Sequence, residues 1–370
     1  MNQVNEDSNQ MQSIVSFFII LMLIGMSTFI PLIHAERAMI LVKSDEQNSR
    51  DVGDGTEYYA LIGGCLRYQN ESFNIASGNS SVETYHRYIY DSLLSSSNWK
   101  EQNILLLTDE NATREKVVSA LGYFAEMTDA DDVFLFSWHS HGSQIEDIDG
   151  DEAAVRPDDT FDEIILPYNV DVINGSLTNY ISDDELGSYL DAFTVEAMVI
   201  IVEACFCGGL VDEEPSHNLD INAPGRIVMM STPPNHLGWI HPIDAFGWMS
   251  SLGFALSTSL SDMNHDGWIS AEEAFRLASP VYTFRTYLWM HLLPFMLGFS
   301  ASYAFIRFIQ LLLDKDGLYS NIRVMLSVLV GYLIVWYTEH ASELQGLPPA
   351  ANKATLHDEY NADLLFLQIS

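Results

Sequence analysis

Between residues 56 and 232 short apolar runs alternate with segments of helical period, the pattern of a parallel sheet covered by helices. Residues 58–64 (YYALIGG) read as a first strand, and a helix follows over 82–94. A second strand is expected at 103–107. After it, TREKVVSALGYFAEM places Val117, Val118, Leu121 and Phe124 on one helical face. A third strand falls at 133–137, a fourth at 199–202 and a fifth at 227–230. Ser182 with Glu185 three residues on is a capping box, opening a helix that runs to Leu190. No internal repeat or low-complexity tract interrupts the pattern.

Three longer apolar runs lie outside this unit. Residues 14–35 (IVSFFIILMLIGMSTFIPLIHA) carry no charge apart from His34, and match the ~20 apolar residues of a membrane span. Glu6 and Asp7 precede the run where a secretory signal would carry a base, and the length favours an uncleaved anchor over a cleaved signal. Residues 286–306 and 324–338 form two further runs, separated by Arg307, Lys315 and Arg323 against Asp314 and Asp316. A basic-leaning loop between two apolar segments predicts a transmembrane hairpin with its turn in the cytoplasm and its flanks outside. Two buried core helices are the alternative.

The chain has 370 residues, enough for one large domain or two ordinary ones. Acidic residues outnumber basic ones 51 to 16, a net charge of −35, which excludes nucleic acid as a natural partner through repulsion. Sequons at Asn70, Asn79, Asn111 and Asn174 are compatible with an exterior location. Only three cysteines are present, Cys65, Cys205 and Cys207, too few for a disulfide framework.

Ligands of parallel sheets gather beyond the carboxyl ends of the strands. The third strand runs into WHSHG and the fourth into EACFCGG, so His141 and Cys205 meet at one sheet edge if those strands are neighbours. A thiol, an imidazole and backbone donors are what a cysteine hydrolase needs. His141 is followed by Gly142, whose N–H is unencumbered, and Gly208 and Gly209 allow a sharp turn after the cysteine. Other readings of the same residues stay open. A zinc site would use Cys205, Cys207 and two of His139, His141 and His217, although C-x-C spacing is unusual for structural zinc. A small buried cysteine is the main alternative, and a C-x-C redox pair is conceivable although the two cysteines are too close for an easy bridge.

VFLFSWHSHGSQ followed by VIIVEACFCGG resembles the two catalytic segments of caspase-like cysteine peptidases, in the legumain and metacaspase branches. GDEAAVRPDDTFDEIILP and ISDDEL resemble the intervening metacaspase segment. The likeness covers roughly residues 56–280, with a remnant in ATLHDEYNADLLF. It implies an α/β fold, a caspase-like three-layer sandwich around a mostly parallel sheet, here with transmembrane helices added. Cys205 is then the nucleophile and His141 the general base and acid, with His139 its competitor. The N–H groups of Gly142 and Cys205 form the oxyanion hole, Cys207 supports, and Glu203 shapes the first specificity pocket. An acid there suits Arg or Lys in a protein or peptide substrate. Legumain-like enzymes with the same acid cleave after Asn with help from an upstream basic pair, which SGNSSVETYHRY does not match.

Residues 262–273 (DMNHDGWISAEE) fit the twelve-residue EF-hand calcium loop. Asp262, Asn264, Asp266, the Trp268 carbonyl, Ser270 and Glu273 are its oxygen ligands, Gly267 its turn, and Ile269 the apolar residue that ties such a loop to a partner. No second complete loop is present, and DIDGDE (147–152) lacks a closing Glu. By resemblance alone, Asp162, Asp183, Asp184 and Asp212 match the acids of a second metacaspase calcium site.

The expected organisation is an N-terminal tail (1–12), signal-anchor or signal peptide (13–35), linker (36–55) and catalytic domain (56–260). The calcium loop with its exit helix (261–280), the transmembrane hairpin (286–338) and a C-terminal segment returning to the catalytic domain (339–370) complete it. The expected activity is a membrane-anchored, Ca2+-binding cysteine endopeptidase with its catalytic domain on the extracytoplasmic side. A catalytically silent calcium-binding surface module on the same fold is the rival.

Overall fold

The computed structural model describes residues 55–75, 82–147, 160–211, 221–238, 247–312, 320–344, 353–360 and 363–369. The tail, the apolar run at 13–35, most of the linker and Asp212 therefore lie outside the described residues. The core is a six-stranded sheet built from β1 (Tyr58–Gly64), β2 (Ile104–Thr108), β3 (Val133–His139), β9 (Ala197–Glu203), β10 (Arg226–Met230) and β12 (Thr355–Asp358). Their spatial order is β12-β10-β9-β3-β1-β2, all parallel except the antiparallel edge strand β12. β3 and β9, separated by more than fifty residues of chain, are direct neighbours at the centre.

Every residue of β3, β9 and β10 is buried. Their near-continuous apolar runs follow from a sheet covered on both faces. Alternate positions divide between two cores. Phe134, Phe136, Trp138, Ile200 and Val202 point to one layer, which contains α2 (Arg114–Met127) and α3 (Asp183–Leu190). Ala60, Ile62, Leu135, Val199 and Ile201 point to the other, formed by α1 (Val82–Leu94), α4 (Trp248–Leu256) and α5 (Ala271–Tyr287). This is the three-layer α/β sandwich. Thr113 caps α2 by accepting from Lys116 N–H, and Ser182 caps α3 by accepting from Glu185 N–H.

Between β3 and α3 the chain adds β4 (Gly142–Glu146), β5 (Phe161–Ile165) and β8 (Ile181–Ser182) as a small sheet, and β6 (Asp171–Ile173) with β7 (Ser176–Thr178) as a hairpin. Asn174 and Gly175, at φ 56° and 86°, supply the left-handed pair such a two-residue turn requires.

The C-terminal stretch adds β12 to the main sheet, and β13 (Leu365–Gln368) pairs antiparallel with β11 (Trp268–Ser270). From α5 the chain passes through a π-helical turn (Leu288–Leu292) into α6 (Leu293–Leu312), which packs against α7 (Ser320–Leu344). Gly298 and Gly331 set that approach, because a Cβ on Gly298 would lie 2.5 Å from Ile334 Cδ1 and one on Gly331 2.7 Å from the Phe295 ring. A transmembrane hairpin over 286–338 is corrected here. Among the described residues no helix is long and apolar enough to cross a membrane. Exposed large apolar side chains run from Leu292 to Phe305 and from Val324 to Tyr337.

Candidate active site

β3 and β9 run in the same direction in register, with His139 opposite Glu203. Their carboxyl ends thus deliver His141 and Cys205 to one edge, as parallel pairing requires. The approach beyond the strands is tight. A Cβ on Gly142 would fall 2.1 Å from the Cys205 carbonyl oxygen, so only glycine lets the β3–β4 turn pass Cys205. Gly142 begins β4 opposite Ile165, and Leu166 N–H donates to the His141 carbonyl at 3.1 Å, clamping the turn from the other side.

Cys205 is partly exposed, and its Sγ accepts from the Gly238 N–H at 3.2 Å. Burial pushes the thiol up; the N–H groups of Gly238 and Gly142 pull it down without cancelling that effect. The resting group is a neutral thiol that needs a base. Phe206, at φ 63°, turns the chain directly after it, and its N–H donates to the His236 carbonyl at 2.7 Å. Gly238 carried no signal in the sequence, since its role depends on a loop folding back over β9.

His141, the residue expected to act as base, is held by its ring and its backbone. Burial lowers its pKa, leaving a neutral imidazole at neutral pH. Nε2 lies 2.9 Å from the Phe73 carbonyl oxygen, which can only accept, so Nε2 carries the proton and Nδ1 is the free acceptor. Tyr68 completes the cradle: its hydroxyl accepts from His141 N–H at 2.7 Å and its ring stacks on the imidazole at 5.5 Å. No hydrogen bond joins the imidazole to Sγ among the described residues. The two groups share the edge and are held separately.

His139 and Glu203 face elsewhere. β3 continues through His139, so that ring enters the α1 and α4 layer and packs on Tyr85 at 4.6 Å. The strand has ended by His141, which turns toward Tyr68 in the opposite layer. His139, expected to compete with His141, is thus turned into the other layer. Glu203 is 3% exposed. Its Oε1 accepts from Trp248 N–H at 2.8 Å, and its Oε2 from Met249 N–H at 2.8 Å and Tyr85 O–H at 2.6 Å. The side chain expected to shape a specificity pocket thus anchors the N-terminus of α4, a favourable place for a carboxylate. Burial outweighs the three donors and raises its pKa to about 7.

Cys207 is sealed at 1% exposure, with Sγ near Val202 O (3.6 Å), Ser231 Oγ (3.5 Å) and Thr232 Oγ1 (3.3 Å). Its neighbours are hydroxyls and a carbonyl, a surrounding that holds a thiol in place. Among the acids expected at a second calcium site, Asp183 has Oδ2 accepting from Glu163 N–H at 3.0 Å and Oδ1 from Asp184 N–H at 3.1 Å, and Asp162 is buried on β5.

In the 262–273 loop, Asp262 accepts from Asp266 N–H (3.1 Å) and Gly267 N–H (3.3 Å), with Gly267 at φ 88°. Glu273 accepts from Met263, Asn264 and Ser270 N–H, and Ser270 caps α5 in return. Asn264 and Asp266 are exposed beside each other at 2.9 Å, and the Trp268 carbonyl lies on β11. Ile269 meets Leu367 of β13, so the tie expected from a second loop comes from a C-terminal strand. The donors are hard oxygens of the kind calcium takes. Among the described residues no three His, Cys, Asp or Glu side chains are gathered closely enough to hold a metal.

A thiol and an imidazole thus lie just beyond the carboxyl ends of two adjacent parallel strands in an α/β sandwich. The caspase domain model, peptidase family C14, matches residues 93–278, half of the chain, and the chain belongs to that family. It is similar to Metacaspase-4 of Arabidopsis thaliana, 31% identical over 134 residues, covering 34% of this chain and 29% of that one. It is also similar to Metacaspase-1 of Pyricularia oryzae, 28% identical over 123 residues, covering 31% and 28%. The chain thus spans under a third of the length of these relatives. Caspase-1 of Spodoptera frugiperda superposes with a TM-score of 0.44 at 10% identity, covering 85% of this chain and 91% of that one.

Proposed function

We propose that this protein is a cysteine endopeptidase in which Cys205 attacks a peptide carbonyl after giving its proton to His141. The observation that carries this reading is the fixed tautomer: the Phe73 carbonyl holds the Nε2 proton and leaves Nδ1 to act as base on the edge where Sγ lies. The thiolate adds to the carbonyl carbon, and the developing oxyanion is met by the N–H groups of Gly142 and Cys205. The imidazolium then protonates the leaving amine, and water, deprotonated by the same ring, cleaves the thioester. A thiol-directed probe tests it. Wild type and Cys207→Ala should be labelled at Cys205, and Cys205→Ala should not. Equal loss in Cys207→Ala would favour a metal or redox pair, and absence of labelling at any calcium level the silent calcium-binding module.

Cleavage after Arg or Lys is the favoured preference. The acid at Glu203 supports this by resemblance alone, because its side chain is buried and turned to Tyr85 and α4, and a basic side chain would reach it only if those contacts opened. A peptide library cleaved after Asn and not after bases would defeat this preference. Calcium at the 262–273 loop is supported by its all-oxygen donor set, and bound there it would tie β11, β13 and α5 together. Calcium-dependent rise in melting temperature, lost in Asp262→Ala, is the measurement. The exposed apolar bands of α6 and α7 and the run at 13–35 support membrane attachment with the catalytic domain outside the cytoplasm. Recovery of the full chain in the soluble fraction without detergent would refute the attachment.

A further inference from the structure

We propose that Asn70 and Asp171 are positioning residues for the reaction, a long-range tie that aims the Phe73 carbonyl at His141; this rests on the reading of Cys205 and His141 as the reacting pair. The imidazole is oriented by one carbonyl, and that carbonyl belongs to a 3-10 turn of only three residues, Glu71–Phe73. So short a turn has little stability of its own. Its hold comes from Asn70. The Asn70 carbonyl accepts from Phe73 N–H at 3.0 Å, and its Oδ1 accepts from Ser72 N–H at 3.2 Å and Ser72 O–H at 2.7 Å.

The remaining group of that side chain reaches across 101 positions of sequence, Nδ2 donating to Asp171 Oδ1 at 2.9 Å. The same oxygen accepts from Val172 N–H at 2.8 Å, and Thr178 Oγ1 donates to the Asp171 carbonyl at 3.2 Å. The carboxylate is thereby fixed at the root of the β6–β7 hairpin. Its pKa lies below the ordinary carboxylate value, chiefly through the Asn70 bond, so it is ionised and accepting at neutral pH. Behind the turn, Asn74 Oδ1 accepts from Tyr68 N–H at 2.7 Å, which fixes the residue whose ring and hydroxyl hold the other side of His141. The tie is not buried: Asn70 and Asp171 line a cavity of about 320 Å³ with Gln69, Asn169, Ile173 and Asn179. It contributes almost nothing to the core, so its place is explained better by aim than by packing. Asn70 stands in a sequon, and the structure commits its amide nitrogen to Asp171 instead.

The test is a hydrogen-bond reversal in the full chain, read by alkylation of Cys205 with iodoacetamide from pH 5 to 9. Asn70→Asp keeps the oxygen that caps the turn but sets two carboxylates against each other. Its alkylation rate at pH 7 should fall on the order of tenfold, with the inflection due to His141 displaced, since small misplacement of a reacting group has large kinetic cost. Adding Asp171→Asn restores a donor on the opposite side, and the double variant should return to within about twofold of wild type. Melting temperatures accompany each variant. An Asn70→Asp protein with wild-type rate and inflection overturns the proposal, as does a folded double variant as slow as the single one. A wild type whose alkylation shows no His141 inflection overturns the Cys205–His141 reading itself, a different outcome from either.

Discussion

Two pairs of side chains, each with one imidazole, sit two residues apart at the ends of the same two strands. His139 and Glu203 are the last residues of β3 and β9, and His141 and Cys205 lie just beyond. The first pair is sealed into the α1 and α4 layer, where Glu203 is 3% exposed and Tyr85 packs on His139. The second is partly exposed, held from behind by backbone groups of Phe73, Gly142 and Gly238. Residue type does not separate the two imidazoles. What separates them is whether the strand has ended. A side chain still on a central parallel strand must enter a covered layer; one past the end meets only what the loops bring.

The largest effect expected on this comparison is at Cys205. Cys205→Ala should abolish peptide cleavage and probe labelling, with Cys207→Ala retaining both; comparable loss in the two would break the distinction between open and sealed thiols. Next comes the histidine pair. His141→Ala should lower kcat/KM by about 10²–10⁴-fold with little change in melting temperature. His139→Ala should do the reverse, acting through packing. Steady-state kinetics beside calorimetry decides it, and equal kinetic losses would remove the argument from strand ending.

Smaller effects sharpen the sealed side. Tyr85→Phe removes one donor from buried Glu203 and should cost about 1–3 kcal/mol in denaturant unfolding. The pH dependence has a definite sign. Glu203 in the folded protein has a pKa raised to about 7 from 4.5, so the folded state holds this proton more tightly than the unfolded one. Its stabilising contribution is full below about pH 4.5 and is lost as pH rises through 7. Glu203→Gln should flatten the fall in melting temperature across that window. An unchanged slope would show the carboxylate ionised throughout and stabilised by the α4 N-terminus.

Much of the sandwich was legible from periodicity. The run VIIV is apolar without alternation, as a strand buried on both faces should be, and β9 is such a strand. Ser182 caps α3 where expected, but the box is half made, because the Glu185 side chain turns to Arg114 and Tyr189 instead of back to Ser182. The small sheet β4-β5-β8 and the β6–β7 hairpin were not read. Their strands are two to five residues long and take their partners from distant sequence, so no local period marks them. The helices α6 and α7 were legible as apolar runs, but among the described residues neither is long and apolar enough to cross a membrane.

By itself the sequence determined where a thiol and an imidazole arrive, because parallel strands with apolar runs must carry their next residues to a common edge. It also determined the turn at Gly267 and the oxygen-rich loop around it, since both depend on residues within twelve positions. Only the tertiary structure decided which imidazole faces the edge, that Glu203 holds a helix, that Gly238 donates to Sγ, and that Asp171 reaches Asn70. Each of these depends on hydrogen bonds or packing between residues tens of positions apart. Such contacts are selected by the closing of the whole sheet and its two layers, and no local pattern of residue types encodes them.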